Sequence, residues 1–364
     1  MVEIGERIIF GPLPPPYGGV STFMSRLAAD AADHGVRVWS YTGSLTPSGG
    51  AAEFFDHRRV EHIAALMRHG RGARITDSSH FHLEYPNPVL LPAWVAARSM
   101  LGFRWIKVLH DGSLPTRFAK FSATQRTLFH LAVRSIDEVV VVREELGRWL
   151  VNDADFCGEV HFIPALLPSA EDNDLSVSDE LSGTLRQYKG RRRRICSVGA
   201  FIPSYGFHDV ARAVEVLRSE TGEDIGLLLA DAGFARDDDY REQVLSGRPW
   251  IVVAEQVPQP EMRSVYQNSD VFVRAFEHES FGLSRIEALI AGIPVIATNV
   301  GETRGMLTYS YGDVDGICAH LRSLFSGEGL SDIEHWKAIF ESEARENLRR
   351  YWQVIAPDRP AIDK

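Results

Sequence analysis

The chain has 364 residues, with 39 Lys plus Arg against 49 Asp plus Glu, for a formal net charge of −10. That balance argues against nucleic acid as a main partner, and the length is comfortable for two domains. Residues 1–168 hold 17 basic and 17 acidic side chains, so the remainder carries the whole deficit, which also favours two domains. Cys157, Cys196 and Cys318 are scattered and odd in number. They imply neither a disulfide framework nor a metal site and fit a reducing cytoplasm. Glu3, Glu6 and Arg7 interrupt the start, where a signal peptide needs an apolar core. No apolar run approaches the ~20 residues needed to span a bilayer.

Arg7–Phe10 reads as a short apolar strand running into a Pro- and Gly-rich loop that ends at Gly18-Gly19. Val20, Phe23, Met24, Leu27 and Ala31 follow at helical spacing, and Val36–Tyr41 is the next strand. This is a βαβ start with a glycine-rich turn. Arg58–His69 is a predicted helix, and Ile75–His82 a strand ending in His80 and His82. Arg104–His110 is a strand whose last residue, at its C-terminal end, points to where open α/β sheets bind ligands. Leu114–Val133 reads as one helix mixing Phe118, Phe121 and Phe129 with Arg117, Lys120 and Arg126. Two readings stand for it: an amphipathic cover for the sheet, or a contact with an anionic membrane surface. Glu138–Val142 is a further buried strand. Residues 169–190 lack strong periodicity and are read as a linker.

A second βα series follows the basic run Arg191–Arg194. Ile195–Val198 turns at Gly199 and Gly206 into the helix Phe207–Leu217. Strands Ile225–Ala230 and Trp250–Ala254 alternate with helices Tyr240–Leu245 and Glu261–Gln267. After Val271–Phe272 comes Arg274–Arg304, the most informative stretch. Glu279 and Glu287 stand eight residues apart with Phe281-Gly282-Leu283 between them, then an apolar helix, then the strand Val295–Ala297. A helix N-terminus offers free N–H groups to an anion, and carboxylates beside it can grip hydroxyls. A nucleotide sugar presents both. Asp313–Phe325 and about Asp332–Val354 are the last helices. The expected fold is α/β: two doubly wound Rossmann-like domains facing a cleft, over 1–168 and 191–345, with a helix and tail at 346–364 that can return to the first domain.

At Glu279-x7-Glu287, with Phe281-Gly282-Leu283, Glu287-Ala288-Leu289 and Gly292-Ile293-Pro294-Val295, the chain resembles the retaining GT-B glycosyltransferases of the GT4-like (group 1) family. Gly18-Gly19, His80-x-His82, His110-Asp111, Val198-Gly199, Gly206-Phe207 and Gly312-Asp313 extend the likeness in order along nearly the whole chain. The resemblance implies a nucleotide-sugar donor, a glycan or lipid-linked acceptor, and no metal or other cofactor. It implies that Glu287 binds the ribose, Glu279 the donor sugar, and the amides of Phe281, Gly282 and Leu283 the sugar and its phosphate. Gly18 and Gly19 would close over the diphosphate from the opposite domain, with Gly199 and Gly206 at the donor-binding turn. His110 would lie near the reacting centre. A cytoplasmic location, peripheral to the inner membrane face through 114–133, goes with that reading.

The likeness breaks at two places, the milder being Ala230-Asp231-Ala232-Gly233, where the family prefers GxG. The family carries an arginine and a lysine at the first turn of the second domain, gripping the donor phosphates. Here Ala200 and Tyr205 stand in those positions. Two unit charges about 4 Å apart interact by roughly 4 kcal/mol at an effective dielectric near 20, so the loss is large. Arg143, Arg274 and Arg304 are the expected compensating cations. The alternatives are a non-catalytic GT-B protein that binds a glycan or a partner transferase, and a sugar-nucleotide epimerase.

Overall fold

The computed structural model describes residues 5–43, 52–55, 61–168, 177–327 and 332–357. They form two compact units. The first comprises Met1–Pro15, Gly19–Pro168 and Ala344–Lys364; the second comprises Pro16–Gly18 and Ser169–Glu343.

The first unit holds a parallel sheet of seven strands. They are β1 Arg7–Gly11, β2 Arg37–Ser40, β3 Ala52–Phe54, β4 Arg74–Asp77, β5 Arg104–Leu109, β6 Glu138–Val141 and β7 Glu159–Phe162, in the order β3-β2-β1-β4-β5-β6-β7. The order reverses between β1 and β4, so the crevice of this sheet lies at the C-terminal ends of those strands. Strands such as β6 (Glu-Val-Val-Val) are buried along their whole length because helices cover both faces. One face packs Ile8, Trp39, Trp94, Trp105 and Phe129. The other packs Ile9, Phe23 and Val140 with Tyr351, Trp352 and Ile355 from the end of the helix Ile333–Ile355.

The second unit repeats the plan with six parallel strands. They are β8 Arg193–Phe201, β9 Ile225–Arg236, β10 Ile251–Glu255, β11 Val271–Arg274, β12 Val295–Thr298 and β13 Leu307–Tyr309, in the order β10-β9-β8-β11-β12-β13. The reversal falls between β8 and β11, where Val271 pairs Ile195 and Phe272 pairs Cys196. At the end of β8 the register with β9 slips between Gly199 and Phe201. Such a bulge bends a strand end and re-aims its side chains.

Several sequence expectations change. Much of the stretch read as a linker is the helix Asp179–Lys189, capped by Ser178 and burying Leu181, Leu185 and Tyr188 at one-turn spacing; residues 169–176 lie outside the described residues. The single helix expected over Leu114–Val133 is two, Leu114–Ala119 and Ala123–Val133. Ser122 starts the second with a capping box to Gln125. The strand expected to reach His82 stops at Asp77, and the histidines sit in the turns that follow. Of the helix expected from Arg58, residues 58–60 lie outside the described residues and Glu61–His69 is helical. The short strands β3, β7 and β13 carry too few alternating residues to stand out by pattern alone. Among the described residues no helix is long and apolar enough to cross a membrane.

Candidate functional site

In the second unit the site forms at the sheet's reversal point. Gly206 takes φ 63° after the 3-10 turn Pro203–Tyr205, and a Cβ there would stand 2.4 Å from the Ala275 carbonyl oxygen. The turn can therefore lie directly on the end of β11 only with glycine at this position. Tyr205 is thereby laid flat on Phe276, ring centroids 4.3 Å apart and 20° from coplanar. Gly199 leaves the space this ring occupies: a Cβ would come within 2.2 Å of Tyr205 Cδ1. Ala200 is fully buried.

Arg274, the last residue of β11, ends beside this stack. Its guanidinium lies 5.0 Å from the Tyr205 ring centroid and 4.9 Å from that of Phe276. Nε donates to Glu279 Oε2 at 2.9 Å, and Nη1 donates to the carbonyl of Val198 on β8. Burial is the largest influence on Arg274 and opposes its charge, but Glu279 and Tyr205 together outweigh it, so its pKa is raised above the ordinary arginine value. Tyr205 is raised as well, chiefly by burial.

Glu279 has a second arginine. Arg285 Nη2 stands 3.7 Å from the same Oε2. Arg285 is completely buried, and its Nη1 donates to the carbonyls of Thr298, Val300 (2.5 Å) and Glu302. Burial pulls its pKa down to about 10, against the attraction of Glu279. This residue was missed in the sequence reading. The available signal was its position in the helix Leu283–Ile290, three and four residues before the buried Ala288 and Leu289, so that it falls on the apolar face. Arg285 thus ties the loop after β12 to the loop after β11.

Phe281, Gly282 and Leu283 form the start of that helix, with Gly282 as its N-cap in the left-handed region. The Phe281 carbonyl accepts from Glu302 N at 3.0 Å, which joins the loop after β12 to the start of this helix. Glu287 lies one helical turn further on, half-buried, near Gln259 Nε2 and Tyr266 Oη, both at 3.4 Å. The structure therefore brings together Gly199, Gly206, Arg274, Glu279, Phe281, Gly282, Leu283 and Glu287. Arg304 is engaged elsewhere: it pairs with Glu302 at 2.7 Å and Glu343 at 2.8 Å. Arg143 belongs to the first unit, where it is over a third exposed and 3.5 Å from Glu145.

In the first unit, His110 follows β5 directly. It is buried, edge-on to Phe23 at 4.7 Å, and its Nε2 has no hydrogen-bond partner among the described residues. Burial first, then His80 and Lys107, lowers its pKa to about 3. Beneath it lies a buried charge cluster. Asp77 accepts from His82 Nδ1 (2.6 Å) and Trp105 Nε1 (3.2 Å). Lys107 Nζ stands 3.8 Å from Asp77 and 3.6 Å from Glu84. Burial alone would raise the Asp77 carboxyl, but Lys107 and His82 outweigh it and hold it well below the usual range. The sequence reading missed Asp77, Glu84 and Lys107, since a lysine inside an apolar strand is not itself a pattern. His82 is therefore a core hydrogen-bonding residue, while His80, more exposed, stands 3.8 Å from Glu84. Gly18 and Gly19 precede or open the helix Gly19–Ala29, and a Cβ on either would meet no atom within 4 Å.

Comparison with known proteins bears on both units. Residues 186–319 match the family of glycosyl transferases group 1. The sulfoquinovosyl transferase SQD2 of Arabidopsis thaliana is 29% identical over 159 residues, covering 40% of this chain and 29% of the relative. The chain thus matches under a third of that relative's length. Among solved structures, Anabaena Alr3699/HepE in complex with UDP-glucose aligns over 96% of this chain and 98% of its own, with a TM-score of 0.73 at 15% identity. Sucrose-phosphate synthase from Thermosynechococcus elongatus aligns over 97% and 96%, with a TM-score of 0.67 at 16% identity. At such identities the likeness is one of fold.

Proposed function

We propose, from the premise that this GT-B chain belongs through its second domain to the group 1 glycosyltransferases, that it moves a sugar from a nucleotide-sugar donor to a glycan or lipid-linked acceptor. In this reading the transfer retains anomeric configuration and needs no metal. The observation that carries it is the buried Arg274–Glu279–Arg285 assembly at the sheet's reversal point, beside Glu287. The family's arginine and lysine are absent at Ala200 and Tyr205, yet two cations have entered the site from β11 and the following helix. Two positive charges and Glu279 leave the same net charge as the family arrangement.

The roles follow from position. Arg274 takes the diphosphate, since it lies at the crevice where open α/β sheets hold phosphates. The first amides of the helix Leu283–Ile290 add donors on the same side. Glu287 accepts from ribose hydroxyls, and Glu279, held by its arginines, orients the donor sugar. The bond from the sugar to the diphosphate breaks while the acceptor oxygen adds to the same face. Catalysis is then positioning plus stabilisation of the departing charge. His110, kept neutral by burial, serves as a hydrogen-bond donor or acceptor near the reacting carbon rather than as a cation. A donor of the UDP-glucose kind is supported by the ligand named for HepE. The helices Leu114–Ala119 and Ala123–Val133 pack Phe118, Phe121 and Phe129 on the core of the first unit, which favours the sheet-covering reading of this stretch over a membrane contact. A lipid-linked acceptor, and a cytoplasmic enzyme peripheral to the inner membrane face, rest on the family resemblance alone.

A thermal-shift screen against nucleoside diphosphates and sugar nucleotides, followed by product analysis with and without EDTA, tests the proposal. Stabilisation by a sugar nucleotide and release of its nucleoside diphosphate on transfer are expected. A folded protein that binds none of them would favour the second reading, a non-catalytic glycan- or partner-binding protein, which Ala200 and Tyr205 motivate.

A further inference from the structure

The first unit contains a cavity of about 500 Å³ at the N-terminal edge of its sheet, where β4, β5, β6 and β7 begin. His110 lies beyond the other end of β5; that strand has six residues, about 20 Å of extended chain, so the two places are well separated. Arg74 from β4, Arg104 from β5 and Arg350 from the terminal helix line the cavity, with Glu138, Glu159 and His161. Its volume falls in the ordinary range of small-molecule sites, about 300–1,000 Å³.

We propose that this cavity is a second ligand site, binding the phosphoryl group of a small phosphorylated compound. Three arginines converge on it from three different elements, and a planar guanidinium matches phosphate oxygens two at a time. Glu138 is the positioning residue. Its carboxylate is only 3% exposed and holds Arg74 at 2.7 Å, Arg104 in direct contact and His161 at 2.9 Å. Burial works against that charge, but His161 and the arginines keep Glu138 ionised, so the arginines stay aimed. Arg104 remains half exposed and Arg350 contributes one bond, to the Phe162 carbonyl at 2.5 Å. Each guanidinium has five donors.

Charge decides between an anion and a metal ion. Glu138, Glu159 and His161 do bring one ligand atom each within 4.8 Å of one another. However, three arginines against two carboxylates leave the cavity at a formal +1 before His161 is counted. A divalent cation would add to that excess and would share Glu138 with Arg104 and Arg74. A phosphoryl group removes the excess instead. Arg74 Nε also donates to the Val354 carbonyl at 2.8 Å, so an anion here braces the end of the terminal helix against the strand edge.

The test is thermal unfolding and calorimetry with inorganic phosphate and pyrophosphate against chloride at equal ionic strength, in the full chain and in Arg274→Gln, which disables the proposed donor site. A saturable rise in Tm that persists in Arg274→Gln and is lost in Arg350→Gln is expected. Arg104→Gln should act in the same direction; Arg350, which bonds the Phe162 carbonyl and not the buried Glu138, keeps the test open if Arg104→Gln fails to fold. No rise in the full chain overturns the proposal. So does a rise lost in Arg274→Gln and kept in Arg350→Gln, which would place the anion at the donor site. Stabilisation by Zn²⁺ or Mn²⁺ that disappears in His161→Gln, without any response to phosphate, would overturn it in favour of a cation. Failure of the donor reading would appear separately, as absent nucleotide binding with the phosphate response intact.

Discussion

Arg274 allows a quantitative test, because its partner Glu279 can be removed independently. Consider a nucleoside diphosphate, which lacks the sugar that Glu279 would contact. At about 4 Å from a phosphate charge and an effective dielectric near 20, Arg274 contributes roughly 4 kcal/mol of attraction. Glu279 stands 2.9 Å from Arg274 and so lies somewhat further from that phosphate. At about 6 Å it repels by roughly 3 kcal/mol on the same scale. Arg274→Gln removes the attraction and leaves the repulsion, a change of about 4 kcal/mol, which is roughly a thousandfold in Kd. Arg274→Gln combined with Glu279→Gln removes both, so the net change is about 1.4 kcal/mol, roughly tenfold. The double variant should therefore bind the diphosphate far more tightly than the single. Isothermal calorimetry of the wild type and the two variants measures this, with circular dichroism to check folding. If Arg274→Gln binds the diphosphate as tightly as the wild type, or if the second substitution weakens binding further, Arg274 is not the phosphate cation and the charge argument fails.

Other predictions follow from the same geometry. Gly199→Ala should cost about 1–3 kcal/mol of stability by overpacking against Tyr205 and should weaken diphosphate binding by displacing the ring from Arg274; Gly199→Ala with Tyr205→Ala should recover much of the overpacking cost in urea unfolding. Arg285→Met should lose about 3 kcal/mol or more in the same assay, because the carbonyls of Thr298, Val300 and Glu302 lose a buried donor and Glu279 loses one cation. For pH, His110 titrates near 6.5 when unfolded and at about 3 when folded. Between those values the unfolded state binds the extra proton, so stability falls as pH drops, by up to about 1.4 kcal/mol per pH unit. His110→Gln should flatten the loss between pH 6.5 and 5, followed by Tm; an unchanged profile would mean that His110 is not buried neutral. Asp77 and Glu84 act in the same direction at lower pH: their lowered pKa values give stability that is present above the ordinary carboxylate pKa and is lost as pH falls below it. Finally, Ser122→Ala should cost about 1 kcal/mol through the lost capping box at the start of Ala123–Val133.

Much of the second unit's site could be read in advance because it is local. Phe281, Gly282, Leu283 and Glu287 sit in one loop and one helix, and their spacing sets their relative places whatever surrounds them. The alternation of short apolar strands with helices was equally legible, since strands covered on both faces must be continuously apolar. Legibility failed where a segment's apolar residues were sparse. Leu181, Leu185 and Tyr188 lie among charged and polar neighbours, so by pattern alone the helix they form reads as linker. It failed also at Ser122, which divides a long amphipathic stretch by capping its second part.

Taken alone, the amino-acid order determined that Arg274 begins the most informative stretch, that Glu279 follows five residues later, and that no cation stands at 200 or 205. It could not say which arginine comes to lie beside that turn. That was decided by parallel pairing of β11 with β8, which sets Arg274 against the Val198 carbonyl, 76 residues away in the chain, and under the Tyr205 ring. The same holds for Arg285, whose carbonyl partners lie 13 to 17 residues further on, and for Lys107, buried among Asp77, Ser79 and Glu84. A charged side chain can be buried only where distant backbone and carboxylates converge to receive it. Local periodicity carries no record of that convergence; it exists once the strands are in register.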